Sequence, residues 1–389
     1  MPVKNLNKFK LILTSTSHGV TDLYASFIIG LIPVLASKFE LSLFMISILT
    51  SVTSISNSLT QPLFGFLSDK FGARNFLIAG PLLASIFISM LGIAPSYWII
   101  VIFLFVGNLS ISAFHPPSAS MASYFGGNKK GFGNAFISFG GTVGYSLGSI
   151  FVILIVEKLG LSFTPIAMIP GVITAIILFK YLPKDISIKH SKDTRLFLRL
   201  KNMKKKRLVS FFLLFLASFS RDLTWIMLLT FLPIYFTDLG IGLTSIGYII
   251  MANGLLGGIG GLLAGYYSDR LKNKHYLIQA GLILSIPLIF FIFRTSNLGA
   301  IILFVFSGFF LISTLPLCIR LSQQLFPRDV SLASSLVMGL SVGSSAIAMI
   351  FIGRVADIIG ISTTVSYSLI LILVASISLF FLPVFNRKS

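Results

Sequence analysis

The sequence predicts an all-α integral membrane protein with twelve transmembrane helices, arranged as two parallel six-helix pseudo-repeats. Three observations predict this fold class. The 389 residues are 55% apolar and only 11% charged, whereas soluble domains carry about 25% charged residues. Apolar runs long enough to cross a bilayer recur from end to end of the chain. Several polar and proline residues also recur at an offset of 200 residues.

The apolar runs define the spans, since a helix needs roughly 20 apolar residues to cross about 30 Å of hydrocarbon. The first half (1–182) is predicted to contain spans near residues 11–36, 44–66, 75–93, 98–122, 131–155 and 164–182. A basic linker (183–208) follows. The second half (209–389) is predicted to contain spans near residues 209–236, 244–266, 276–293, 299–324, 331–355 and 362–383. The first run is too long for a signal peptide and is expected to be a span.

The distribution of positive charge predicts the orientation. Of the 30 Lys and Arg residues, 24 fall on the side of the termini and the linker, four on the opposite side and two inside spans. Because cytoplasmic loops carry the excess of Lys and Arg, both termini are expected in the cytoplasm of a cell (inner or plasma) membrane. This split accounts for the net charge of +19 without a nucleic-acid partner.

The internal repeat links residue types that are rare in this chain. Asp22, Pro33 and Pro116 each have an identical residue 200 positions later, and so does the group Gly65, Ser68 and Asp69. Six spans per half start both halves on the same side of the membrane, which is typical of transporters with a parallel repeat. Such folds bind their substrate between the halves, near the middle of the bilayer.

Six ionisable side chains lie within predicted spans, and each costs roughly 2.5–3.5 kcal/mol at a helix centre, so each requires a reason. They are His18, Asp22, His115, Arg221, Asp222 and Arg320. His18 and Asp22 share one helix face. Asp22 is either a proton-coupling or substrate-binding carboxyl, or one half of a fixed structural pair.

The other ionisable residues leave similar alternatives. His115 precedes Pro116 and Pro117, which are expected to disturb the helix, so it is either a proton carrier or a packing residue. Adjacent helical residues diverge, so Arg221 and Asp222 are predicted to point to different neighbours. Arg221 could bind an anionic substrate or balance an aspartate, and Arg320 is expected near the cytoplasmic mouth.

Two cytoplasmic turns are predicted to form conformational locks. The first contains Gly65, Asp69 and Arg74, and the second contains Gly265, Asp269 and Arg270. In each turn an acid can cap a helix N-terminus or pair with a cation in one conformation only.

Other chemistry is not indicated. The sequence has no nucleotide-binding glycine loop and no metal-ligand cluster, and Cys318 is its only cysteine. We therefore expect no enzyme activity, no cofactor and no metal. The expected partners are a small-molecule substrate, protons and the lipid bilayer, and the expected state is a monomer.

The turn from Gly65 to Arg74 resembles the signature loop of the major facilitator superfamily, with Ala73 where a basic residue is usual. Further segments resemble the fosmidomycin-resistance family of drug exporters. They are 17–22 (SHGVTD), 61–65 (QPLFG), 112–116 (SAFHP), 126–131 (GGNKKG) and Gly140-Gly141. The resemblance implies export of small anionic or amphipathic compounds in exchange for protons, with His18, Asp22 and His115 lining a central cavity. Pro117, Ser120 and Ser149 depart from that pattern.

Three functions follow as hypotheses. The leading one is proton-coupled efflux of a small organic compound or drug by alternating access. The second is uptake or facilitated diffusion of an organic anion. The third is a non-transporting membrane sensor or lipid-handling protein, against which the two complete halves and two signature turns argue.

Overall fold

The computed structural model describes residues 7–125, 130–183, 205–268, 270, 275–325 and 336–382. Within these ranges all regular structure is helical. Eleven helical segments are long and apolar enough to cross a membrane, and a bent helix pair brings the number to twelve if the pair is one span. The predicted all-α fold with twelve spans is therefore confirmed. Most of the predicted linker lies outside the described residues.

The helices before the linker supply the first six spans. In chain order they are α1 (Lys8–Ala25), α2 (Phe27–Phe39), α3 (Leu43–Ser58), α4 (Gln61–Phe71), α5 (Ala73–Ser89), α6 (Tyr97–Phe125), α7 (Lys130–Leu159) and α8 (Ile169–Tyr181). Together α1 and α2 make one span, and α3 and α4 are the bent pair. Short 3₁₀ segments, Met90–Ile93 and Leu161–Met168, follow α5 and precede α8.

The helices after the linker supply the other six. They are α9 (Lys205–Asp238), α10 (Leu243–Ser268), α11 (His275–Ile292), α12 (Asn297–Leu325), α13 (Ser341–Ile359) and α14 (Ile361–Ser378). A π-helical turn, Leu336–Leu340, leads into α13, and a 3₁₀ turn, Leu379–Phe381, follows α14.

The bend between α3 and α4 is 40° and interrupts a predicted continuous span. Its cause is Pro62, which has no N–H to donate to the preceding turn and disfavours helical backbone at the residue before it. The hydroxyl of Thr60 occupies the break, within hydrogen-bond distance of the Ser56 carbonyl oxygen (2.5 Å) and of Ser112 Oγ on α6 (2.8 Å).

The repeat seen in the sequence is also present in the backbone. Helices α6 and α12 begin and end 200 residues apart. Residues with a positive backbone φ angle also recur at an offset of 200 residues. Glu40 (φ 50°) corresponds to Gly240 (φ 77°), and Gly160 (φ 98°) corresponds to Gly360 (φ 82°). Each pair turns the chain between the same two spans of its half, so the same fold is encoded twice.

Two compact units divide the chain. The first comprises residues 1–190 with 230–255, and the second comprises 191–229 with 256–389. The end of α9 and the start of α10 thus belong with the first unit. The predicted domain boundaries, 1–182, 183–208 and 209–389, stay a prediction.

In the first unit, α1 and α2 both approach α7 so closely that backbones touch. An added Cβ at Gly19 would lie 2.8 Å from the Gly140 carbonyl oxygen, and one at Gly30 would lie 2.7 Å from the Ser149 carbonyl oxygen. Without a hydrophobic drive between helices in lipid, such small-residue contacts are a main source of cohesion. This seam fixes the position of the polar face of α1 against α7.

Candidate functional site

The first unit brings His18, Asp22 and His115 into one cluster. His18 Nε2 lies 3.2 Å from Asp22 Oδ2, and His115 Nε2 lies 3.5 Å from Asp22 Oδ1. The rings also meet, with His18 Nε2 3.2 Å from His115 Nδ1. Each of the three side chains is less than one-fifth exposed. Three residues predicted separately from α1 and α6 thus form a single site.

A backbone carbonyl on α7 fixes the orientation of the His18 ring. His18 Nδ1 lies 2.9 Å from the Ile137 carbonyl oxygen. A carbonyl oxygen only accepts, so Nδ1 must carry the hydrogen. The other ring nitrogen, Nε2, then faces the Asp22 carboxyl.

A hydrogen bond between His18 and Asp22 in this geometry needs a shared proton. An ionised carboxyl only accepts, and the Nε2 of a neutral ring with its hydrogen on Nδ1 also only accepts. The contact between His18 Nε2 and Asp22 Oδ2 is therefore a hydrogen bond only if a proton lies between them. With that proton, the His18–Asp22 pair holds one proton more than a neutral imidazole plus a carboxylate and is electrically neutral overall.

Gly141 leaves the space that the pair occupies. An added Cβ there would lie 2.6 Å from Asp22 Oδ2 and 2.8 Å from the nearest His18 ring atom. In the sequence, Gly141 is notable only as part of the Gly140-Gly141 pair of the family resemblance. Neither its role nor that of the Ile137 carbonyl could be predicted, because no helical periodicity specifies which turn of α7 faces α1.

The second unit contains a different arrangement around Asp222. Arg221 Nε and Nη2 donate to Asp222 Oδ1 at 2.9 and 2.7 Å. Ser341 donates to Asp222 Oδ2 at 2.5 Å. The Cys318 thiol lies beside the guanidinium. Arg221 is 1% exposed, so this is a buried, hydrogen-bonded ion pair.

The prediction that Arg221 and Asp222 point to different neighbours is wrong. Although their Cα–Cβ bonds diverge, the long arginine side chain folds back along α9 to the next residue. In a site without water, a charged guanidinium gains more from the nearest carboxylate than from an extended rotamer.

The two repeat-related aspartates therefore have partners of different chemistry. Positions 18 and 141 are His and Gly around Asp22, whereas positions 218 and 341 are Ser around Asp222. Position 21 is Thr, whereas position 221 is Arg. Histidine can gain and lose a proton near neutrality, but arginine cannot.

The helix that carries His115 is regular despite its prolines. Helix α6 continues through Pro116 and Pro117 to Phe125, so the expected disturbance does not end or divide it. Arg320 lies on α12 and is exposed. Its predicted place at the cytoplasmic mouth stays a prediction.

The first signature turn, and part of the second, lie among the residues that the structure describes. Ser68 donates to the Gly65 carbonyl (2.9 Å), and Ser268 donates to the Gly265 carbonyl (2.7 Å), so both copies close alike. Asp69 is exposed, and Asp269 lies outside the described residues. The Arg270 guanidinium lies over the Tyr266 ring, 4.4 Å from its centroid.

Arg74, the other cation of the first turn, binds the end of α8. It donates to the carbonyl oxygens of Phe179 (2.5 Å) and Leu182 (3.4 Å). Gly72 (φ 93°) makes the turn that brings it there. Locking by either turn stays a prediction.

The cluster has the spacing of a metal site, which the sequence analysis does not predict. Ligand atoms of His18, Asp22 and His115 all lie within 4.8 Å of one another. His18 Nε2 lies against both Asp22 Oδ2 and His115 Nδ1, whereas Asp22 Oδ1 is buried 3.5 Å from His115 Nε2 without a hydrogen-bond partner among the described residues.

Comparison with known proteins identifies the family. Residues 14–336 match the family model of the Major Facilitator Superfamily. The chain belongs to this superfamily. It is a multi-pass membrane transporter and not an enzyme, as predicted.

Three relatives are similar along the chain. The Fosmidomycin resistance protein of Escherichia coli (strain K12) is 24% identical over 88% of this chain and 85% of its own length. The uncharacterized MFS-type transporter YfnC of Bacillus subtilis (strain 168) is 24% identical over 91% of this chain and 88% of its own. The Gentisate transporter of Corynebacterium glutamicum is 27% identical over 41% of this chain and 37% of its own. The predicted resemblance to the fosmidomycin-resistance family is confirmed.

Solved structures share the fold. A mutant form of the nucleoside transporter NupG aligns with a TM-score of 0.80 and 14% identity, over 97% of this chain and all (100%) of that one. A bacterial homolog of the human lysosomal transporter Spinster, inward-facing and occupied, aligns with a TM-score of 0.74 and 16% identity, over 98% of each chain. At these identities the likeness concerns the fold alone.

Proposed function

We propose that this protein is a proton-coupled exporter of a small organic compound, in which the His18–Asp22–His115 cluster carries the coupling proton. The observation that supports this most directly is the bond between His18 Nδ1 and the Ile137 carbonyl. It leaves only one arrangement in which the His18–Asp22 contact is favourable, and that arrangement contains a removable proton.

Loss of the proton would change the energy of the site. Without it, the lone pair of His18 Nε2 would face the Asp22 carboxylate at 3.2 Å, and a buried negative charge would lack its hydrogen bond. The protonated cluster is neutral and suits a closed, dry site. The deprotonated cluster favours hydration. Since a ligand or proton shifts a conformational equilibrium only through its differential affinity, this difference supplies the coupling.

His115 provides the next proton position. Its Nδ1 lies 3.2 Å from His18 Nε2, and its Nε2 faces Asp22 Oδ1. A proton leaving His18 can therefore pass to His115 without first crossing water. Asp222 is an unsuitable alternative, because Arg221 keeps its charge at all physiological pH values and Ser341 occupies the second carboxyl oxygen.

Export rather than import is the direction favoured by the similarity to the Fosmidomycin resistance protein over most of both chains. A second candidate is uptake or facilitated diffusion of an organic anion. The similarity to the Gentisate transporter, over 41% of this chain, favours it. Arg221 gives no support to anion binding, since its guanidinium is buried against Asp222.

The test is transport in proteoliposomes with an imposed pH gradient, using labelled fosmidomycin, gentisate and a panel of other drugs and organic acids. Asp22→Asn keeps the shape but removes the proton exchange. We expect it to abolish gradient-driven accumulation while substrate exchange without a gradient persists. Asp238→Asn is the matched control, because Asp238 is an exposed acid at the end of α9.

Three outcomes would contradict the proposal. If Asp22→Asn still concentrates substrate against its gradient, Asp22 is not the coupling site. If wild-type accumulation is independent of the pH gradient, transport is not proton-coupled and facilitated diffusion is favoured. Accumulation driven by an inward proton gradient in the direction of the proton would indicate uptake rather than export.

A further inference from the structure

One end of the first unit carries a patch of aromatic and basic side chains that the transport cycle proposed above does not use. The first turn of α1 meets the last turn of α8 through Phe9 and Tyr181, whose ring centroids lie 5.6 Å apart in an edge-on arrangement. Phe9 is 57% exposed and Tyr181 is 45% exposed. These rings therefore pair with each other while keeping one face open to the surroundings.

Lysines flank the ring pair. Lys8 precedes Phe9 and is exposed. The Lys180 ammonium lies over the Tyr181 ring, 5.4 Å from its centroid. Lys10, on the next position of α1, lies over the Phe125 ring at 5.5 Å. One ammonium group, that of Lys180, thus lies on the exposed aromatic pair, and Lys8 and Lys10 are the chain neighbours of Phe9.

Arg74 removes the negative pole that α8 would otherwise contribute. The last carbonyl groups of a helix carry a partial negative charge that repels anions. Arg74 donates to two of these carbonyls and lies over the exposed Phe179 ring at 5.0 Å. At this end of the first unit, Asp69 is the only acid among the residues that the structure describes. The patch is therefore net positive.

The second repeat lacks the patch although it repeats the fold. The positions corresponding to Lys8, Lys10 and Lys180 are Leu208, Ser210 and Phe380. Helix α9 has its own cations earlier, at residues 205–207. Lysines at these three positions are therefore specific to the first repeat.

We propose that this patch, formed by Lys8, Phe9, Lys10, Lys180 and Tyr181, binds the headgroup of an anionic phospholipid. Aromatic rings with a polar edge are enriched at the membrane–water interface, and Lys and Arg near the surface attract anionic lipid. The lysines bind the phosphate, and the exposed apolar side chains Ile12 and Phe179 contact the acyl chains. A lipid bound here stabilises the contact between the start of α1, the helix that carries His18 and Asp22, and the end of α8.

The test is the thermal stability of the purified full-length protein in nanodiscs of phosphatidylcholine with or without phosphatidylglycerol. We expect phosphatidylglycerol to raise the unfolding midpoint by about 2–4 °C, as for a ligand bound by the folded state alone. Lys8→Gln/Lys180→Gln should remove this rise and leave the midpoint in pure phosphatidylcholine unchanged. Lys205→Gln/Arg207→Gln removes the same charge elsewhere and should keep the rise.

Native mass spectrometry supplies the second measurement, since retained phosphatidylglycerol should fall several-fold in the first double variant only. An equal loss in both double variants would overturn the proposal in favour of diffuse attraction to positive charge. No rise in the wild-type protein would overturn it outright. Equal stabilisation by soluble glycerol phosphate would also overturn it, because the ligand would then be a free phosphate rather than a lipid.

Discussion

At the scale of single residues, the two aspartates related by the repeat have diverged in chemistry. Asp22 is held by groups that exchange protons, and Asp222 by groups that do not. The sequence predicts that both are unusual, because an acid in an apolar span is costly wherever it occurs. The sequence cannot predict which aspartate has proton-exchanging partners, since the difference depends on Ile137, Gly141 and Ser341, which lie on other helices.

Asp222→Asn should destabilise the protein far more than Asp22→Asn. Removing the Asp222 charge leaves the Arg221 guanidinium buried without a counter-charge, and breaking such a pair costs roughly 3–5 kcal/mol. Thermal unfolding of the purified variants, together with their yield, measures the difference. The double variant Arg221→Met/Asp222→Leu should recover most of the loss, because it replaces the pair with apolar groups. Equal midpoints for both single variants would contradict this account.

Gly141→Ala should uncouple transport. The added methyl group would lie 2.6 Å from Asp22 Oδ2, so either the carboxyl or the His18 ring must move away from it. We expect normal expression, since the nearest atoms belong to the Asp22 and His18 side chains rather than to backbone. Accumulation driven by the pH gradient should fall about tenfold or more, because a small misplacement can disrupt a reactive geometry to that extent. Gly261→Ala is the control, because its nearest neighbour atom is 3.8 Å away. If the Gly141 variant couples normally, the arrangement of His18 and Asp22 is not the coupling geometry.

At the scale of helices, periodicity and hydropathy predict most of what is observed. The predicted span 98–122 corresponds to Tyr97–Phe125, and the predicted span 209–236 corresponds to Lys205–Asp238. Helix ends are missed by a few residues, because hydropathy reports the apolar core and not the polar turns beyond it. The bend at α3 and α4 is missed for another reason. A proline in an apolar span does not by itself specify how far the helix bends, because that depends on contacts with other helices, such as that of the Thr60 hydroxyl with Ser112 on α6.

Glu157 is expected to stabilise the association of residues 230–255 with α7. Its carboxylate accepts from the Thr244 N–H (3.1 Å) and from the Thr244 hydroxyl, at the N-terminus of α10. An acid at a helix N-terminus contributes about 0.5–2 kcal/mol through capping and the helix dipole. Glu157→Gln should therefore speed amide hydrogen exchange in the first turn of α10 several-fold. The neighbouring Lys158→Gln variant, which contributes nothing to this cap, should exchange as wild type, and an unchanged rate in Glu157→Gln would show that the cap adds no stability.

At the scale of the whole molecule, the repeat specifies the fold twice and the distribution of charge predicts its orientation in the membrane. The spans, the repeat and the family could be predicted because each rests on many residues that all indicate the same answer. The candidate site rests on a few contacts between helices distant in sequence, such as His18 with Ile137, and no pattern along the chain contains that information.

The orientation gives the last prediction: both termini and the linker face the cytoplasm. With the predicted spans, 24 of the 30 Lys and Arg residues fall on one side and four on the other, and translocating the richer side would oppose the positive-inside bias. Two single-cysteine variants test this after Cys318, which is buried, is replaced by alanine. In intact cells an impermeant thiol reagent should label Lys158→Cys, at the exposed end of α7, and should leave Lys192→Cys unlabelled until the membrane is opened. Labelling of Lys192→Cys from outside would show that the orientation is the reverse of the predicted one. The cluster around Asp22 would then release its proton to the opposite side of the membrane during export.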